Sequence, residues 1–140
     1  MLLKLKKVHE DAVIPKYAHH DDAGFDLFVP ENIILKKGER LGIPTGIAME
    51  IPEGYVGLIW DKSGLSIKYG MKTLGGVIDS TYRGEVLVGM VNLSGGDYVF
   101  EKGHKIAQMI IQKKETVDFE EVNELSDTAR GEGGFGSTGK

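Results

Sequence analysis

The 140-residue chain carries 17 Lys and Arg against 21 Asp and Glu, a formal net charge of −4, and has no cysteine. That length suffices for one domain whose core needs no covalent staple, and without cysteine disulfides and thiolate metal centres are excluded and a reducing cytoplasm is favoured. The acidic balance argues against a general nucleic-acid coat. No apolar run approaches the roughly 20 residues that cross a bilayer, and the lysine-interrupted start Met1–Lys7 is too short for a signal peptide, so a soluble chain with no membrane partner is expected.

Leu2–Val8 alternates apolar residues with lysine, the period of a half-buried strand. Further strands are expected at Gly24–Val29, closed by Pro30, and at Asn32–Leu35, followed by a Lys36–Glu39 turn. Arg40–Ile43, Gly46–Ile51 and Tyr55–Trp60 continue the series, separated by Pro44, Pro52 and Gly54. Only Ser63–Gly70 reads as helical, and Glu85–Leu93 and Lys105–Gln112 are the strongest strands. Short strands with turn residues at regular spacing point to an all-β sandwich or barrel. Val117–Val122 is a candidate edge strand within an acidic stretch. After Leu125 the hydrophobic pattern stops, which divides the chain into a β domain over residues 1–125 and a glycine-rich arm over 126–140 that cannot bury enough to order itself.

Glycine, 20 of the 140 residues, clusters around Ser63–Gly84 and from Gly131 onward. In the first cluster Lys62, Ser63 and Gly64 set a cation and a hydroxyl at a helix start, where free N–H groups favour anions; an ordinary cap by Ser63 or Asp61 explains the same residues. Leu74-Gly75-Gly76-Val77-Ile78-Asp79 is an apolar run reached through two glycines and ending in a carboxylate. It fits either a plain hairpin or a backbone surface offered to a planar ligand, with a partly buried Asp79 polarising a water. Tyr82 offers a ring face to a sugar or base. Gln108 is a polar group in an apolar strand and needs a partner. The arm combines Arg130, Phe135, Ser137 and Thr138 among glycines, the chemistry of a loop that wraps a phosphorylated aromatic ligand. His19-His20-Asp21-Asp22 lacks the spacing of a zinc site and reads as a polar loop.

Five segments stand in order: Ala23–Leu27, Lys62–Ser66, Gly76–Glu85, Gly103–Gln108 and Arg130–Gly139. Together they resemble the five motifs of the trimeric dUTP pyrophosphatases (dUTPases) from about Tyr17 to the C-terminus. The resemblance implies a distorted jelly-roll (β-clip) barrel with one short helix, a homotrimer, and sites shared between subunits. It implies hydrolysis of dUTP to dUMP and pyrophosphate, with Mg²⁺ carried by the substrate phosphates and water rather than by protein ligands. In that reading Asp79 activates the attacking water and Asp26 supports it from behind. The backbone of Leu74, Gly75, Gly76, Val77 and Ile78 reads uracil in a tight hairpin, and Tyr82 packs on the deoxyribose. Lys62, Ser63, Gly64 and Gln108 meet phosphates. Phe135 stacks on the base, Arg130 meets the γ-phosphate, and Gly136, Ser137 and Thr138 add donors.

Four positions depart from the family pattern: Lys62 and Lys105 stand where arginines are usual, with His104 in place of an aspartate, and Thr81 replaces a second aspartate. A dCTP deaminase of the same fold needs a proton-shuttling glutamate where this chain has Gly89, and an arginine where it has Ile67. A non-catalytic, nucleotide-gated binder would have no need of an intact Asp79, Tyr82 and Phe135.

Overall fold

In the computed structural model, which describes residues 1–139, burial alternates along the strands as the sequence pattern requires. The strand Glu85–Asn92 turns Val86, Val88, Met90 and Asn92 inward and leaves the residues between them partly or fully exposed. In chain order the elements are β1 (Lys4–Lys7), β2 (Phe25–Phe28), β3 (Ile33–Leu35), β4 (Arg40–Glu50), β5 (Tyr55–Trp60), α1 (Ser63–Tyr69), β6 (Met71–Leu74), β7 (Val77–Asp79), β8 (Glu85–Asn92), β9 (Tyr98–Phe100) and β10 (Lys105–Lys113).

Two four-stranded antiparallel sheets, ordered β1-β4-β8-β6 and β2-β10-β5-β7, form a distorted jelly roll, with β3 and β9 as a separate pair. The core is one cluster that includes Leu27, Ile43, Val88, Phe100, Ile106 and Met109. Among the described residues no helix is long and apolar enough to cross a membrane.

The structure departs from the expected elements in three places. Arg40–Ile43 and Gly46–Ile51 are one strand, β4, with an irregular register between Pro44 and Ala48. Pro44 is tolerated because β1 pairs β4 only over residues 47–50, so the missing N–H breaks no bond on that side. Strands β6, β7 and β9 were not legible as strands, being three or four residues long. Val117–Val122 is no strand here: it is exposed throughout, with Phe119 94% accessible, and among the described residues no strand edge pairs with it. The His19–Asp22 stretch is the expected polar loop, with the Asp22 carboxylate accepting the His19 N–H at 2.9 Å.

Candidate active site

The chain reaches the site by changing sheets. β6 pairs with β8 and β7 with β5, so the Gly75-Gly76 turn bridges the two sheets and is not the tip of a tight hairpin. Both glycines have positive φ (66° and 107°), and a Cβ on Gly76 would lie 2.8 Å from the Ile59 Cβ. The Gly76 carbonyl accepts the Ile59 N–H at 2.8 Å, which fixes the turn against β5. β7 is the last strand of its sheet: Val77, Ile78 and Asp79 pair with Leu58, Gly57 and Val56 on one side, and their other side has no strand partner among the described residues. Outward-facing peptide groups on such an edge are free to bond a ligand.

Beside this edge, Val77, Ile78, Asp79, Tyr82, Glu85 and Leu87 line a cleft of about 220 Å³. The Tyr82 hydroxyl donates to the Glu85 carbonyl at 2.9 Å, and a Cβ on Gly84 would lie 2.4 Å from that hydroxyl, so Gly84 is the space the ring occupies. The Arg83 guanidinium donates to the Ser80 and Tyr82 carbonyls at 2.6 and 2.9 Å and holds the loop closed. The sequence suggested a partly buried Asp79; it is exposed, at the end of an edge strand, and its carboxylate has no partner among the described residues. A wider cleft of about 550 Å³ lies elsewhere, between the Glu50–Gly54 turn, Ser80, Thr81, Arg83, Lys114 and Thr116, and is lined by none of the expected site residues.

A second group forms around the β5–α1 connection. Lys62 is the helix N-cap, with extended backbone and no side-chain cap, so neither Ser63 nor Asp61 serves as one. Ser63 and Gly64 are exposed. Asp61 works on the opposite side: its carboxylate accepts the Thr73 N–H at 2.7 Å and pairs with Lys72, while its carbonyl accepts the Gln108 side-chain amide at 2.9 Å. The partner that Gln108 needs is thus the backbone of the connection that carries Lys62. Burial of Asp61 opposes its ionisation, but the Lys72 ammonium and the Thr73 amide prevail and hold its carboxyl below the usual range.

Asp26, only 2% exposed, lies beneath this connection. Lys62 donates to its Oδ1, and the Lys105 ammonium stands 2.7 Å from its Oδ2 as an ion contact outside hydrogen-bonding alignment. Burial favours the neutral acid, but the two ammonium groups, Lys105 then Lys62, outweigh it and hold the carboxyl below its ordinary value. A depressed folded pKa stabilises the fold above the unfolded value, about 3.9, and that contribution fades as pH falls through the folded value. Thermal unfolding from pH 7 to pH 2.5 is therefore expected to show a steeper acid loss for the native chain than for Asp26→Asn. Two curves that stay parallel to the acid limit would mean the pairing carries no pH linkage.

These groups are not adjacent within one chain. Asp79 faces Val56, and Lys62 lies six positions further along β5 and its continuation, about 20 Å at the rise of a strand. The arm is separate again: Arg130 Nε donates to the Gly133 carbonyl at 2.7 Å, and, among the described residues, 128–139 hydrogen-bond only to one another. Phe135 is fully exposed at a positive φ of 46°, followed by Gly136 at 92°. Gly136, Ser137 and Thr138 are exposed, with the Ser137 N–H held by the Gly134 carbonyl. The chain thus groups Leu74–Asp79 with Tyr82, groups Asp26, Lys62 and Gln108, and leaves Arg130–Thr138 apart from both. Sequence reasoning marked Lys105 as a departure without giving it a role and missed the bracing role of Asp61, since both act through contacts between distant strands. Gly89 pairs with Leu74, and a Cβ there would lie 2.6 Å from the Leu74 carbonyl oxygen, so the glutamate a deaminase needs has no room.

Three comparisons bear on this arrangement. The dUTPase family model matches residues 10–139. The chain is 47% identical to the deoxyuridine 5'-triphosphate nucleotidohydrolase of Clostridium kluyveri over 99% of each chain, and 48% identical to that of Nautilia profundicola over 100% of each. A mutant dUTPase of Staphylococcus bacteriophage 80alpha, solved with dUpNHpp, superposes with a TM-score of 0.93 at 32% identity over 99% of each chain. A mutant dUTPase from phage phi11 of S. aureus, whose structure reveals the coordination of a structural Mg(II) ion, gives a TM-score of 0.84 at 29% identity, covering 91% of this chain and 100% of its own.

Proposed function

This chain belongs to the dUTPase family, and from that premise we propose that it hydrolyses dUTP to dUMP and pyrophosphate, which supplies dUMP for thymidylate synthesis and keeps uracil out of DNA. The observation that carries the mechanism is the exposed Asp79 carboxylate, without a partner among the described residues, at the end of an edge strand beside the braced ring of Tyr82. A carboxylate there accepts a proton from water as the water oxygen bonds to the α-phosphorus. The α-phosphorus to bridging-oxygen bond breaks, and pyrophosphate leaves with the electron pair.

The free edge of residues 74–78 supplies donors and acceptors for the uracil ring, and the close packing of Gly76 on Ile59 limits movement of that wall. Tyr82 covers the deoxyribose and leaves no space for a 2′-hydroxyl. Lys62, Ser63, Gly64 and Gln108 form the phosphate side, with Asp26 and Asp61 bracing their backbone and charges.

A homotrimer with shared sites is the assembly we infer. It is supported by the roughly 20 Å between Asp79 and Lys62 along one chain, by an arm that among the described residues bonds only to itself, and by exposed Val77, Leu87 and Phe119 that a neighbour would cover. In such an assembly residues 126–140 close over a nucleotide held by other subunits: Phe135 stacks on the base, Arg130 meets the γ-phosphate, and Gly136, Ser137 and Thr138 donate to phosphate oxygens.

Among the described residues no group of three or more His, Asp or Glu side chains converges on a metal site. One free carboxylate and a lysine-lined phosphate side fit a Mg²⁺ that arrives on the triphosphate, held by phosphate oxygens and water. When bound, the ion screens the phosphate charge and stabilises the leaving pyrophosphate. The cysteine-free composition supports action in a reducing cytoplasm.

The direct test is pyrophosphate release from dUTP, dTTP, dCTP and UTP with Mg²⁺. The expected result is release from dUTP that exceeds each of the others by at least about a hundredfold, the discrimination reached when a mismatched group leaves buried polar atoms unpaired or clashes. Ammonia from dCTP, or comparable rates on dTTP, would reject the assignment.

A further inference from the structure

We propose that Lys105 is a positioning residue for phosphate recognition, the standing counter-ion of Asp26 that leaves the Lys62 ammonium free to pass from Asp26 to the triphosphate. The inference rests on the reading of Lys62 as a phosphate contact and assigns the regulation of that contact to a residue from another strand.

The arithmetic of charge motivates it. Asp26 is one buried carboxylate facing two ammonium groups, Lys62 on Oδ1 and Lys105 on Oδ2. A buried carboxylate stripped of its sole partner is costly. Were Lys62 that partner, every substrate would have to offset the loss before gaining a phosphate contact. With Lys105 in place, Asp26 keeps a cation when Lys62 leaves, and the pocket carries an excess positive charge suited to a polyphosphate.

The backbone provides specifically for this. Gln108 lies opposite Asp26 and Ala107 opposite Leu27, so unbroken alternation would put Lys105 on the face away from Asp26. A register shift between Lys105 and Ala107 sets Lys105 opposite Phe28 instead, on the face that Asp26 shares. The two lysines also differ in reach: the Lys62 side chain is 28% exposed, close above Asp26, and that of Lys105 is 44% exposed. A lysine is a point charge with rotatable donors, so Lys62 exchanges one oxygen partner for another without breaking a two-pronged contact, as an arginine would have to.

The experiment is steady-state pyrophosphate release from dUTP by Lys105→Met, with thermal unfolding of the same protein. KM is expected to rise roughly ten- to hundredfold, the range of one lost charge-assisted contact, with kcat changed by less than about threefold. Lys105→Arg should restore KM. Asp26→Asn added to Lys105→Met should also lower KM, because a neutral amide no longer retains Lys62; a purely structural role for Lys105 predicts that this second change adds to the defect. If Lys105→Met is too unstable to assay, Lys105→Gln, which keeps a donor but no charge, is expected to raise KM in the same way. An unchanged KM in a Lys105 variant beside a raised KM in Lys62→Met overturns the inference, as does a failure of Asp26→Asn to rescue. If Lys62→Met leaves KM unchanged, the reading of Lys62 itself fails and the inference falls with it.

Discussion

Asp79→Asn is expected to lower kcat for dUTP by about 10²–10⁴-fold, the usual contribution of a positioned general base. The amide keeps the shape of the carboxylate but does not take a proton at neutral pH. Asp79 is exposed and its side chain holds no partner among the described residues. Stability should therefore change by no more than about 0.5 kcal/mol, as at surface positions without special contacts. Binding should survive, because the uracil edge and Tyr82 stand apart from the carboxylate's chemistry. The decisive pair of measurements is single-turnover pyrophosphate release and calorimetric titration with a non-hydrolysable dUTP analogue. Turnover within about tenfold of the native rate, with intact binding, would remove Asp79 from the role of base.

The outcome at Asp79 also shows how far the sequence could be read. Period-two alternation located β8, which buries every second side chain over eight residues, while β1 showed in the longer lysine alternation of Leu2–Val8 and β10 in its run rich in Ile and Met. It failed at β6, β7 and β9, where three or four residues carry too few alternations to stand out. The segment Leu74–Asp79 was legible as a ligand surface only through its likeness to a family motif, since adjacent glycines suit a hairpin equally well. That the turn bridges two sheets depends on the partners of β6 and β7, which lie on β8 and β5, and local sequence does not specify such pairing. Exposure of Asp79 follows from its place at a sheet edge, again a matter of topology.

The phosphate side was readable in its residues and not in its wiring. Lys62, 36 residues from Asp26 in sequence, meets it because β2 and β5 flank β10, and Lys105 joins them through a register shift that alternation does not announce. Gln108 could be recognised as a polar residue in need of a partner, but its partner is a main-chain carbonyl whose chemistry every residue shares. Val117–Val122 failed as a strand for a related reason: alternation encodes a face to be buried, and the surface that buries it need not lie in the same chain.

Removal of residues 130–140 is expected to lower kcat/KM for dUTP by roughly two to four orders of magnitude. A stacked aromatic and a charge-assisted phosphate contact each carry about 1–3 kcal/mol, and exclusion of bulk water adds to them. The melting temperature should fall by less than about 2 °C, since, among the described residues, 130–139 bond only to one another and to Thr128, and Phe135 is fully exposed. A large loss of stability would mean the arm belongs to the packed domain. Mixing the two inactive proteins then separates a shared site from a self-contained one. A subunit with Asp79→Asn still has its arm, and a truncated subunit still has Asp79. If one subunit supplies the base and another the arm, co-refolded mixtures should regain roughly a quarter of native activity, the chance that both donors at a site are intact in randomly mixed closed oligomers. If each chain closes its arm over its own Asp79, no mixture recovers any activity, and the inferred sharing of sites between subunits must be abandoned.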